Sequence, residues 1–97
     1  CDWIDTYESI FGNSPNIGSA YGYMYMDITA RALEIAGRDL TTDSFLNALE
    51  SINDYKIPFG DTTLSWSPEK HLGANVAYLF EVQNGTFIQT DNKEYTY

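Results

Sequence analysis

The sequence predicts a mixed α/β domain of three helices, a short strand and a C-terminal β-hairpin. Three observations lead there. Val76, Tyr78, Phe80 and Val82 alternate with Ala77, Leu79, Glu81 and Gln83, and a period of two with aromatic and β-branched residues is the signature of a strand. Asn84-Gly85 follows at once, then Thr86-Phe87-Ile88. Asn-Gly suits a two-residue type I′ turn, in which both central residues need positive φ. Upstream, three segments carry apolar residues at helical spacing, each closed by Gly or opened by Thr-Asp.

In chain order, Trp3, Ile4, Tyr7, Ile10 and Phe11 fall on one helical face, over about 2–11. Asp2 and Asp5 stand in the first turn, where the helix dipole favours anions, and Gly12 closes it. A longer helix is predicted over about 19–36. Its polar Asp27, Arg31 and Glu34 share a narrow stripe, and the rest is apolar or aromatic. Such a helix is expected to be buried on most sides. Thr41-Thr42-Asp43 opens a third helix over about 42–52, with Phe45, Leu46, Leu49 and Ile52 inward and no Glu or Gln to complete a capping box. Ile57-Pro58 forces an extended connection. A short strand over about 62–66 follows, then a loop holding His71. The hairpin strands run over about 76–83 and 86–90, with Gln83 opposite Thr86 and Val82 opposite Phe87. An isolated hairpin is marginal in water, so the helices are expected to cover its apolar face. The tail from Asp91 is polar and expected to fray in part.

The chain has 97 residues and a net charge of −9, room for one small domain. The acidity argues against a nucleic-acid partner and against an anionic membrane surface, which need clustered cations. Cys1 is the single cysteine, so no internal disulfide forms. A lipid-bearing Cys1 is disfavoured, because Asp2-Trp3-Ile4 begins a helical pattern with no tether. No stretch approaches the ~18 apolar residues of a membrane span.

No local motif supports an enzyme. His71 is the only histidine. A metal site there would need further ligands at suitable spacing, so the plain reading is a loop histidine bonded to local backbone. Ser65 and Ser67 lie near His71 but have no elbow motif. Glu50 and Asp54 are a close carboxylate pair in sequence, better read as part of a solvated helix face. Asn84-Gly85-Thr86 also matches a glycosylation sequon, although the hairpin explains the same residues. Tyr21, Tyr23 and Tyr25 have two readings, an aromatic wall against a ligand or core, and core is preferred. No cofactor and no metal are expected.

Several strings, in this order, resemble the type I periplasmic substrate-binding proteins, in particular the branch serving ABC importers of branched-chain amino acids and urea. Trp3 to Pro15 resembles "F-x-x-x-Y-x-x-x-Y-G-x-x-P". Ala20-Tyr21-Gly22-Tyr23 resembles "A-Y-G-Y-D-A", with Met24 where Asp is common. Ile57-Pro58-Phe59-Gly60 resembles "G-P-x-G". Ser65 to Asn75 resembles "F-x-P-x-x-H-x-G", and Val76 to Phe87 resembles "Y-L-x-Q-V-x-x-G-x-F". The resemblance implies two Rossmann-like lobes closing on a small polar ligand (an amino acid, amide or urea-like solute), of which this chain is the C-terminal portion. It implies export of the parent protein to the periplasm or outside the cell, an ABC permease as partner, and no catalysis. An extracellular sensor or regulatory domain of the same fold is the alternative. Family contact with the cleft comes just before the long helix, where an aromatic is common; here that position is Gly18, flanked by Ser19, with Tyr21 one turn on. Gly18, Ser19 and Tyr21 are therefore the candidate ligand-binding residues. The isolated chain is expected to bind no ligand measurably and to self-associate through exposed faces.

Overall fold

The computed structural model describes residues 2–97; the readings of Cys1 lie outside the described residues. Three helices come first: α1 (Asp2–Phe11), α2 (Ile17–Ala36) and α3 (Thr42–Glu50). Six short strands complete the chain: β1 (Tyr55–Lys56), β2 (Thr63–Leu64), β3 (Val76–Ala77), β4 (Phe80–Gln83), β5 (Thr86–Gln89) and β6 (Tyr95–Thr96).

The helix ends are set by their caps. Gly12 sits at φ +72° and its N–H donates to the Glu8 carbonyl at 2.8 Å, closing α1. Asn16 caps α2 by accepting from the Ser19 N–H at 3.0 Å, so α2 begins at Ile17, two residues earlier than the apolar pattern alone predicts. In α3 the expectation that no capping box forms is corrected. Ser44 takes the place of the usual Glu or Gln: Thr41 Oγ1 accepts from the Ser44 N–H at 3.0 Å, and Ser44 Oγ accepts from the Thr41 N–H at 2.8 Å. A short hydroxyl replaces a longer side chain here. α3 ends at Glu50, and Ile52 lies just past it.

The core is the seam between α2 and α3. Met24, Ile28 and Ala32 of α2 meet Ala48, Ile52 and Tyr55, with Phe45, Leu49, Ile57, Phe59, Leu64 and Trp66 packed around them. The buried residues of α2 are Ala20, Met24, Ile28 and Ala32, spaced by four. This corrects the reading of α2 as buried on most sides. Tyr21, Tyr23, Tyr25, Met26, Leu33 and Ile35 all remain exposed, so Tyr23 is not core.

β1 and β2 pair antiparallel, with Tyr55 opposite Leu64 and Lys56 opposite Thr63. β1 has no sequence signal of its own; its partner creates it. Trp66 N–H donates to the Ile52 carbonyl at 3.0 Å and Ser65 N–H to the Gly73 carbonyl at 2.9 Å, tying the segment after β2 to the end of α3.

The Asn-Gly turn forms with Asn84 at φ +51° and Gly85 at φ +79°. It sets the register of β4 and β5, Gln83 opposite Thr86 and Val82 opposite Phe87. Three expectations fail around it. The run 76–83 is not one strand: Val76–Ala77 leaves to pair with Tyr95–Thr96 in the tail. The tail is therefore ordered, with Tyr78 Oη donating to Glu94 at 2.9 Å and Tyr95 Oη to Asp91 at 3.1 Å. Nor do the helices cover the hairpin, since every residue of β4 and β5 is exposed. The molecule is a thin slab of 54 × 39 × 16 Å with a radius of gyration of 16.6 Å, against about 13 Å for a compact 100-residue domain.

One polar cluster crosses the seam. Tyr55, 4% exposed, donates its hydroxyl to Asp27 Oδ2 at 2.8 Å. Arg31 Nε donates to the same oxygen at 3.1 Å and lies 4.9 Å from the Tyr55 ring centre, within cation–π range. Burial, then the bond to Asp27, pushes the Tyr55 phenol from 10.0 up to about 12. A raised folded-state value means that its stabilisation is complete below pH 10.0 and is lost as pH rises through about 12. Tyr78 and Tyr95 are raised too, mainly by their bonds to Glu94 and Asp91, so the Tyr55 share is isolated by substitution. Tyr55→Phe is expected to lower unfolding free energy at pH 7 by about 1–2 kcal/mol. It is also expected to flatten the alkaline loss of stability, read from urea midpoints taken between pH 8 and 12.

Candidate functional site

The three predicted ligand residues lie on the first turns of α2. The Asn16 cap fixes that end. Ser19 Oγ donates to the Tyr7 hydroxyl at 3.1 Å and also lies 3.4 Å from Asn16 Oδ1, which docks α1 to the start of α2. Gly18 is exposed, and a Cβ there would stand 3.2 Å from Asn16 Oδ1, so the missing side chain leaves the cap uncrowded. Tyr21 is 43% exposed. Its ring meets Phe59 edge-on at 5.3 Å and lies 6.1 Å from Tyr25. Both geometries are favourable for aromatic pairs.

Ser19 and Tyr21 are two residues apart and do not face each other on a helix. Ser19 turns toward α1, and Tyr21 toward the loop that carries Phe59. The structure brings the three predicted residues onto one helix end without converging them. What it does assemble is an aromatic ledge of Tyr21, Tyr25 and Phe59. Beside the ledge, Trp3 stacks on Tyr23 at 5.3 Å and donates Nε1–H to the Pro58 carbonyl at 3.2 Å, so α1 holds the Phe59 loop against α2. Phe59 is not among the predicted site residues. Its signal is present in Ile57-Pro58-Phe59-Gly60, but its neighbour in space is 38 positions away in the chain.

The electrostatics of this end are distinctive. α1 and α3 carry Asp in their first turns, but α2 carries no acidic residue there. The positive end of a 20-residue helix is left unneutralised in a strongly acidic chain, which suits an electronegative group.

A second concavity lies at the other helix pair. Leu46, Leu49, Glu50, Trp66 and His71 wall a pocket of about 270 Å³. His71 Nε2 lies 2.8 Å from Glu50 Oε1. This corrects the reading of His71 as bonded to local backbone, because its partner is a carboxylate on α3, 21 residues away. Glu50 likewise answers to His71. The Asp54 N–H donates to Ser65 Oγ at 2.8 Å, and Ser67 Oγ donates to Glu69 at 3.0 Å. Neither serine hydroxyl engages His71, so the sequence neighbours assemble no nucleophile–base pair. Among the described residues no group of three His, Cys, Asp or Glu side chains could hold a metal ion, and no helix is long and apolar enough to cross a membrane.

The order of these parts matches a known family: its sequence model, described as periplasmic binding protein, aligns with residues 2–86. The chain belongs to the periplasmic binding protein family. No curated protein and no solved structure matches the chain. Three helices with small antiparallel strands agree with part of a periplasmic binding protein fold. Membership brings a ligand-binding role in a family of exported, generally non-enzymatic proteins.

Within this periplasmic binding protein chain the segment after β2 depends on one glycine. A Cβ on Gly73 would stand 2.7 Å from Trp66 Cζ2 and 2.9 Å from Cε2, so the indole occupies the space a side chain there would need. Gly73→Ala is expected to displace Trp66 and to cost about 1–3 kcal/mol of stability, with a shifted tryptophan emission maximum as the direct readout.

Proposed function

We propose that these elements form one flank of a two-lobed solute-binding protein, residues 1–97 being its C-terminal segment. On this reading the protein captures a small polar solute (amino acid, amide or urea-like) for an ABC importer, by binding alone. The observation that carries the reading is the aromatic ledge set beside an unneutralised helix end, in a chain whose family binds ligands. Ligand sites pair apolar or aromatic walls with a few placed polar groups. Tyr21 and Phe59 offer the wall, and the exposed Gly18 with the first N–H groups of α2 offers the polar end. Ser19 acts at one remove, by fixing that end to Tyr7.

The reading also accounts for the slab. Apolar side chains such as Met26 and Ile35 on α2 and Val82 and Phe87 on the hairpin stand well exposed. They are surfaces for the rest of a larger clamp to cover. The solute then lies between this flank and its counterpart, and closure about a hinge delivers affinity.

The test is calorimetry on the protein carrying this segment, across branched-chain amino acids, their amides and urea. One solute is expected to bind, and Tyr21→Ala is expected to weaken it about tenfold, a loss of roughly 1.4 kcal/mol. Unchanged affinity in Tyr21→Ala removes the ledge from the site. A fused output domain responding to the solute would move the reading from import to sensing.

A further inference from the structure

We propose that the pocket between α3 and the segment after β2 binds a small organic ammonium ion bearing an apolar or aromatic group. It shares no residue with the ledge, and it stands or falls independently of the solute reading. Its walls combine three chemistries. Leu46 and Leu49 give apolar surface, Trp66 gives an indole, and Glu50 gives a carboxylate.

Glu50 decides the sign of the ligand. Its side chain is only 12% exposed, yet among the described residues its carboxylate has one hydrogen-bond partner, His71 Nε2. An ionised carboxylate offers about four acceptor sites, so most of its capacity is unfilled by the protein. An anion is repelled, and a neutral molecule lacking N–H or O–H groups offers nothing. An ammonium supplies several donors and a full charge, and an indole beside it adds cation–π attraction. The apolar substituent takes the leucine wall. The volume, about 270 Å³, lies just below the usual range for drug-sized ligands, which selects a compact amine.

The site is also held in shape. Trp66 is fixed by its backbone N–H to the Ile52 carbonyl and by Gly73 against its ring. Glu50 sits on the last turn of α3, whose neighbour Ala48 is buried in the core. His71 is largely exposed, 63% at the side chain, and stands at the rim. A floor fixed in shape before binding keeps the cost of binding low.

The test compares benzylamine, benzyl alcohol and benzoate on the protein carrying this segment at pH 7, followed by the indole N–H signals of Trp3 and Trp66 in NMR. Trp3→Phe and Trp66→Phe assign these two signals by their loss. Benzylamine is expected to saturate the Trp66 signal in the millimolar range, at least about tenfold tighter than benzyl alcohol, with benzoate inert. Glu50→Gln is expected to abolish the preference for the amine. Equal binding of amine and alcohol by the wild-type chain overturns the proposal whatever the variant does. So does a response confined to Trp3, or no saturation at all.

Discussion

The seam between α2 and α3 closes on two alanines. Ala32 is wholly buried and Ala48 nearly so, and side chains this small let two helices approach closely. Met24, Ile28 and Ile52 then roof the contact. Close packing of this kind resists both larger and smaller side chains. The chain beyond α3 is anchored to this seam: Ile52 receives the Trp66 N–H through its carbonyl, and Tyr55 inserts its ring beside Ile52. The first strand pair, the Trp66 floor and the Glu50–His71 contact are all built outward from it.

Polar groups lock the seam in register. Asp27 stands on the polar stripe of α2, and its Oδ2 is shared by Arg31 and the Tyr55 hydroxyl. The Asp27–Arg31 pair alone, exposed and one turn apart, contributes only a few tenths of a kcal/mol. Adding a buried phenol on a distant strand turns a local pair into a tertiary clamp. α1 is attached differently. It buries only Trp3 and reaches the body through Tyr23, the Pro58 carbonyl and the Ser19–Tyr7 hydrogen bond. The ledge is thus positioned by aromatic stacking and two hydrogen bonds at the edge of the core.

How much of the structure is legible in the sequence depends on how local its cause is. The hairpin register comes from Asn84-Gly85, because the turn dictates which residues face each other. The helices come from periodicity and caps, and the family from strings spread along the chain. The losses share one physical origin, which is partners distant in the chain. Tyr55–Lys56 and Tyr95–Thr96 are strands only because Thr63–Leu64 and Val76–Ala77 lie beside them. His71 gives no hint of Glu50, and Tyr21 gives none of Phe59. Helix α2 misleads for another reason. Aromatic residues all around a helix signal burial only if every face meets a neighbour, and here one stripe meets α3 while the tyrosines meet single rings such as Trp3 and Phe59, one another, or solvent.

The exposed aromatics and the exposed aliphatics differ in how the chain treats them. On the ledge, Tyr21 meets Tyr25 in stacked and Phe59 in edge-on geometry, and Trp3 stacks on Tyr23. The tyrosines stay exposed while Phe59 and Trp3 tie them to the body, an arrangement suited to a surface that must stay accessible and still hold its shape. Met26, Ile35 and Val82 stand well exposed. In a slab 16 Å thick these side chains lie outside the α2–α3 seam, whereas an apolar face is ordinarily buried against another layer. On the reading as a clamp flank, the two kinds of surface have different partners: a second layer of the same protein for the aliphatic faces, and a solute for the ledge. A protein that opens and closes on its ligand needs that division, because the first contact has to persist through the motion and the second has to be made and broken by it.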